Sequence, residues 1–148
     1  GVEPSGNSSA ALAFLKLSAY LIDPKLIRKA ENIFLSFYDE LMEYGLNSAY
    51  MLQALHLYLG GLKEVAIVGK RNDDATQSFL TTIRKGFFPN SVFAFSYENE
   101  VNKNAKFIPL LKGRKLHQGK ATAYVCRKGA CLPPVQTSEE LVKLLSYD

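Results

Sequence analysis

Through its first 60 residues the chain repeats its apolar positions at the spacing of helices, and from residue 64 it changes to the short apolar runs that strands make. Pro4-Ser5-Gly6-Asn7-Ser8 supplies several capping side chains, and Ser9 to Ile22 is then apolar on nearly every side, the pattern of a helix buried all round. Asp23-Pro24 restarts the chain as a cap followed by a first-turn proline. Beyond it Leu26, Ala30, Ile33, Phe37 and Leu41, widened by Ile27, Phe34 and Tyr38, form the inner stripe of an amphipathic helix whose outer face carries Lys29, Glu31, Asp39 and Glu43. After Tyr44-Gly45, Asn47 or Ser48 caps a third helix through Leu59, closed by Gly60-Gly61. Short loops between such helices predict antiparallel neighbours.

Glu64-Val-Ala-Ile-Val-Gly69 reads as a strand buried on both faces of a parallel sheet, and Asn72-Asp73-Asp74 caps a helix carrying Phe79, Leu80 and Ile83. Pro89-Asn90 ends that helix before a second strand, Ser91 to Tyr97, and the order predicts a βαβ unit. A short helix over Val101 to Lys106 follows, then Phe107-Ile-Pro-Leu-Leu111 and a basic, glycine-containing loop with Lys112, Arg114, Lys115 and Lys120. A third strand runs from Ala121 to Cys126. Arg127 to Ala130 hold the glycine of a tight turn, the chain resumes extended at Cys131, and two prolines forbid a helix there. Thr137-Ser-Glu-Glu140 has the form of a capping box opening a last helix through Leu145. The expected fold class is α/β: about three N-terminal helices, residues 1–61, packed on a small, mainly parallel sheet with flanking helices and a C-terminal β-hairpin, residues 62–148.

Composition narrows the class. With 148 residues, 47% hydrophobic and 22% charged, the chain is sized and balanced for a globular protein, and the longest apolar stretch, Ala10 to Ile22, is interrupted by Lys16 and Ser18, too short to cross a bilayer. The net charge of +4 is modest and reads as spread along the chain, which gives little support to nucleic-acid binding. The N-terminus lacks the basic and apolar regions of a signal peptide and an initiator methionine, as a processed chain or a piece of a longer one would. Two cysteines and two distant histidines make neither a disulfide scaffold nor a zinc site, so no metal or cofactor is expected, and the cysteine usage fits a cytoplasmic protein.

Three places carry candidate chemistry. Cys126 and Cys131 flank the turn; directly cross-strand in a non-hydrogen-bonded pair, their Cα atoms could lie near ~5.5 Å, within disulfide range, with Arg127 and Lys128 beside them to stabilise a thiolate. The plainer alternative is two small apolar residues at a hairpin's base, reduced and inert. Ser5, Gly6, Asn7 and Ser8 could offer hydroxyl and amide groups to a sugar-like or anionic ligand at a helix start, or could simply cap the helix. Lys70 and Arg71 follow a strand and precede a helix, where open α/β sheets bind ligands, although the single glycine of Gly69-Lys70-Arg71 makes no phosphate loop. His56 reads as a residue at a packing edge and His117 as solvent-exposed. The acids near the first helix, Glu3 and Asp23, are unpaired, and no catalytic constellation is legible.

Pro4-Ser5-Gly6-Asn7-Ser8, Lys63-Glu-Val-Ala-Ile-Val-Gly69, Phe88-Pro89-Asn90, Ala123-Tyr-Val-Cys126 with Cys131 and Pro134, and Glu139-Glu140-Leu141 together resemble, in order and spacing, the C-terminal end of the spermatogenesis-associated, thioredoxin-domain-containing family. The resemblance covers essentially the whole chain. It implies long parent proteins with a thioredoxin-like domain, an α/α toroid similar to sugar epimerases and six-hairpin glycosidases, and an α/β tail. This chain would then be the end of the toroid plus the tail, without the thioredoxin-like domain. The implied function is a non-catalytic accessory or interaction module; the alternatives are part of a carbohydrate-active toroid enzyme, with Ser5 to Ser8 lining its cavity, or a module regulated through Cys126 and Cys131. Partners expected are the remainder of the parent chain and, through the Ser8–Leu59 helices, a second copy.

Overall fold

The computed structural model describes residues 4–146, and these divide into two compact units between Leu62 and Lys63. The first unit is helical. Helix α1 (Gly6–Leu21) starts earlier than the apolar pattern suggests, because Ser5 is its cap and accepts a hydrogen bond from the Ser8 amide. Ile22 ends it in a left-handed conformation, φ 52°, and the Asp23 amide turns back to the Ser18 carbonyl. Asp23 then caps α2 (Pro24–Ser36) through the Lys25 amide, with Pro24 in the first turn. The single long amphipathic helix expected from Leu26 to Leu41 is two helices. Phe37 leaves helical geometry, its amide shared between the Ile33 and Phe34 carbonyls, and α3 (Tyr38–Tyr44) begins after it. A short 3-10 turn over Gly45–Ser48 leads into α4 (Ala49–Gly60), which Gly61 ends at φ 82°.

Ala11 and Leu15 of α1, Ala30 and Phe34 of α2, and Met51, Ala54 and Leu57 of α4 form this unit's core. The small residues let the helices approach closely. Tyr58 donates to Glu31 at 2.6 Å and tilts against Phe34, tying α4 to α2. Helix α1 is not buried all round within the described chain, since Leu17 and Leu21 remain exposed.

The second unit is α/β. Strand β1 (Lys63–Gly69) is central in a four-stranded sheet of order β2-β1-β3-β4. Helix α5 (Asp74–Lys85) links it to β2 (Ser91–Tyr97), which pairs with β1 in parallel, Lys63 opposite Ser91 and Gly69 opposite Tyr97. Strand β3 (Thr122–Arg127) lies on the other side of β1 and runs antiparallel to it, and β4 (Ala130–Cys131) runs antiparallel to β3. The α/β class holds, but the sheet is mixed: one of its pairings is parallel and two are antiparallel. The reason is the long connection over residues 98–121, which holds the short helix α6 (Val101–Asn104) and 3-10 turns at Glu98–Glu100 and Pro109–Leu111 but no crossover helix long enough to return the chain in parallel.

Val65 to Val68 are fully buried, so β1 has both faces covered. One core cluster joins Val65, Ile67, Phe79, Ala123, Val125, Leu141 and Leu145. The last two come from α7 (Ser138–Ser146), opened by the expected capping box: Glu140 accepts from the Thr137 amide and Thr137 Oγ1 from the Glu140 amide, both at 3.2 Å. Lys63, only 4% exposed, donates its ammonium to the Leu145 carbonyl at 2.8 Å, satisfying an orphan acceptor at the other end of α7.

Candidate functional site

The first unit gathers Ser5, Asn7 and Ser8 onto one wall of an open pocket of about 610 Å³. The other walls come from Phe37, Glu40 and Leu41 and from Leu46 to Met51, so the starts of α1 and α4 face the same space. Its polar lining is mostly neutral: hydroxyls of Ser5, Ser8, Ser48 and Tyr50, amides of Asn7 and Asn47. Part of that set is engaged within the helix start. Ser8 Oγ donates to the Ser5 carbonyl at 2.8 Å, and Ser5 Oγ reaches Ser8 Oγ at 3.1 Å. Both helix capping and a pocket position are therefore true of these serines, while Gly6 sits in α1 with open space where a Cβ would be. Among the described lining residues Glu40 is the one carboxylate. Glu3 lies outside the described residues. Asn47, Ser48 and Tyr50 were not recognisable as site residues, because the pocket forms only when the 3-10 turn brings them to the start of α1.

In the second unit Lys70 and Arg71 have structural work. Arg71 pairs with Glu100 at 2.7 Å and lies over the Tyr97 ring at 4.3 Å, tying the β1–α5 loop to the chain after β2. The Lys70 amide donates to Thr76 Oγ1 at 2.9 Å. Asp73, the cap of α5, accepts from the Thr76 hydroxyl at 2.6 Å and its amide at 2.8 Å, and these hydrogen bonds hold its carboxyl below the usual range.

Cys126 and Cys131 face each other across the hairpin and form a disulfide. Lys128 and Gly129 both take positive φ, 50° and 80°, giving the two-residue turn whose twist matches the strands. The Leu132 amide donates to the Val125 carbonyl, so the cysteines are the narrow pair one position along, with Cα atoms 3.9 Å apart. The ~5.5 Å expected from the sequence belongs to the wider, hydrogen-bonded kind of pair.

A guanidinium at the sulfurs is that of Arg114, a member of the basic loop that the sequence did not mark as their neighbour. Its Nη2 lies 3.2 Å from Cys126 Sγ and 3.7 Å from Cys131 Sγ, and its plane covers the Tyr124 ring at 4.8 Å. Tyr124 in turn donates to the Lys115 carbonyl at 2.7 Å, which fixes the loop beside β3. Glu64 stands opposite Cys126 on β1; burial pushes its carboxyl up, and the charge of Arg114 partly opposes that rise. Nothing in the spacing marked Arg114, since a dozen residues and an irregular loop separate it from Cys126. His117 and His56 are exposed. Among the described residues no cluster of His, Cys, Asp and Glu could hold a metal ion, and no helix is long and apolar enough to cross a membrane.

Three curated relatives align over 145 residues, 98% of this chain: spermatogenesis-associated protein 20 of Homo sapiens at 27% identity, of Rattus norvegicus at 25% and of Mus musculus at 24%. The chain spans 18% of the length of each. No family profile matches the chain, and no solved structure does.

Proposed function

The chain belongs to the family of spermatogenesis-associated protein 20, and on that premise we propose that it is a non-catalytic accessory part whose helical unit docks against further helices of the same long protein. The observation that carries this reading is an exposed apolar stripe. Leu35, Tyr38, Met42 and Leu46 recur at spacings of three and four, and they are 70%, 58%, 71% and 95% exposed. Isolated exposed apolar residues are ordinary, but four this exposed within twelve positions, from the end of α2 through α3 to the 3-10 turn after it, favour a surface that another covers. The chain's small share of its relatives' length supports neighbouring helices of the parent as that surface. Alone, the chain is expected to self-associate through this face in sedimentation velocity. The triple variant Leu35→Lys, Met42→Lys, Leu46→Lys is expected to sediment as a monomer. A wild-type chain monomeric at every concentration overturns the reading.

The pocket at the starts of α1 and α4 favours a second reading, in which the helical unit supplies one wall of a binding cavity for a carbohydrate-like ligand. Neutral hydroxyl and amide groups beside Tyr50 suit a polyhydroxylated molecule. The single carboxylate among the described lining residues supports binding without catalysis, since glycoside cleavage needs two. Asn7→Ala in the parent protein is expected to weaken binding of a neutral oligosaccharide by about tenfold, the worth of one or two well-made hydrogen bonds. Unchanged affinity in that titration removes the cavity reading and leaves the docking reading standing.

A further inference from the structure

Although the net charge is small, residues 101–138 carry eight Lys and Arg side chains and no Asp or Glu. The charge is therefore gathered, contrary to its even appearance along the chain. Beyond the C-terminal end of β2, an open pocket of about 560 Å³ draws on this segment. Asn99 and Asn102 line it from the chain after β2, and Gly113, Arg114, Lys115 and Gly119 line it from the basic loop, with Glu98 among its walls. Pockets outside the carboxyl ends of strands are where open α/β sheets take ligands.

Arg114 belongs to this pocket and to the disulfide at once. Its Nη2 hydrogen bonds run to the two sulfurs, and its Nε is buried without a hydrogen-bond partner. A disulfide sulfur is a neutral, weak acceptor, so it leaves the guanidinium's charge largely available to an anion in the pocket. A thiolate at the same place is a full charge within ion-pair distance. We propose that this pocket binds small oxyanions through Arg114, and that the Cys126–Cys131 disulfide sets its affinity by presenting Arg114 with either a neutral sulfur or a thiolate.

The redox step is thiol–disulfide exchange with a dithiol. The protein's S–S bond breaks as the dithiol's forms, and two electrons and two protons pass from the dithiol to Cys126 and Cys131. Cys126, whose sulfur is nearer Arg114, then releases its proton to solvent, and the thiolate pairs with the guanidinium. Glu64 on β1 is the resident carboxylate in Arg114's field, and Arg127 and Lys128 follow Cys126 in the chain. Glu64 competes with a bound anion in both redox states, so it lowers affinity without conferring redox sensitivity.

Titration of the whole chain with inorganic phosphate, followed by NMR of the Gly113 and Gly119 amides near pH ~8.5, where an ordinary thiol is half ionised, tests this. The oxidised protein is expected to bind, and reduction with dithiothreitol to weaken binding by about tenfold. Arg114→Gln is expected to abolish the response in the oxidised protein. The double variant Cys126→Ala, Cys131→Ala retains the guanidinium without a thiolate, and is expected to keep the oxidised affinity with or without reductant. Glu64→Gln, which leaves Arg114 in place, is expected to tighten binding severalfold. Equal phosphate affinity in oxidised and reduced wild type overturns the gate. A response that survives Arg114→Gln, or a Glu64→Gln protein that binds more weakly, overturns the site.

Discussion

Gly69 ends β1 where the chain turns toward α5, and a methyl group built there meets Cγ2 and Oγ1 of Thr76 inside contact distance. Thr76 is fully buried and cannot withdraw, because its hydroxyl is held both by Asp73 and by the Lys70 amide. Glycine here serves close packing of strand against helix start. That is one of the uses glycine has in nucleotide-binding loops, without the anion. Gly69→Ala is expected to cost about 1–3 kcal/mol, the usual penalty of overpacking, read as a lower thermal midpoint. Gly6→Ala is the control: its new methyl meets nothing within 4 Å, and its effect is expected to stay within about 0.5 kcal/mol. Equal midpoints for the two variants would mean that Thr76 can move aside and that the knot around Asp73 is loose. Arg114 shows the same dependence on neighbours from the opposite direction. It stands in the sequence as one more cation in a basic loop, and becomes distinctive only when Tyr124 and the two sulfurs are placed around it.

Elements whose signals are local were legible in the sequence. Asp23-Pro24 and Asp73 cap the helices they announce, the Thr137–Glu140 box opens α7, and β2 occupies Ser91–Tyr97 as its pattern and flanking Pro89-Asn90 indicate. The hairpin is of this kind too, since Gly129 and the spacing of the cysteines suffice to face them. Three features were not legible, each for a physical reason. The break at Phe37 involves neither proline nor glycine, so no residue announces it; the apolar stripe simply continues through it into α3. The direction of β3 depends on a connection with no periodicity, where a strand pattern looks the same read either way along the chain. The oxidised state of Cys126 and Cys131 requires knowing that they form the narrow cross-strand pair, which the Leu132 to Val125 hydrogen bond decides. The polar pocket of the helical unit was half visible, through Ser5, Asn7 and Ser8, because its other half comes from a 3-10 turn that carries no sequence signature of its own.

Across the described residues, the largest fully buried side chains, Phe79, Ile67, Leu110, Leu111 and Leu141 foremost, all belong to residues 63–146, while the fully buried apolar positions of the helical unit are Ala11, Ala30 and Ala54. Most of the exposed large hydrophobics, from Leu17 to Leu59, lie in that helical unit. Burial of large side chains supplies most of the free energy that resists local opening, at about 25 cal/mol per Å² of apolar surface, and alanines supply little of it. The α/β unit is therefore expected to hold the most protected amides of the molecule. In hydrogen exchange of the chain alone, the amides of Val65 to Val68, paired on both sides in the sheet, should exchange slowest. Those of Tyr38 to Ser48 should exchange fastest among the helical residues, since α3 and the turn after it bury no side chain. If the proposed docking against further helices of a longer protein holds, the same Tyr38–Ser48 amides should slow markedly in that longer protein while Val65 to Val68 change little, because docking would cover the exposed residues and leave the sheet as it was. If Tyr38–Ser48 exchange equally fast in both, the exposed face meets nothing in the parent, and the helical unit's apolar surface needs another occupant.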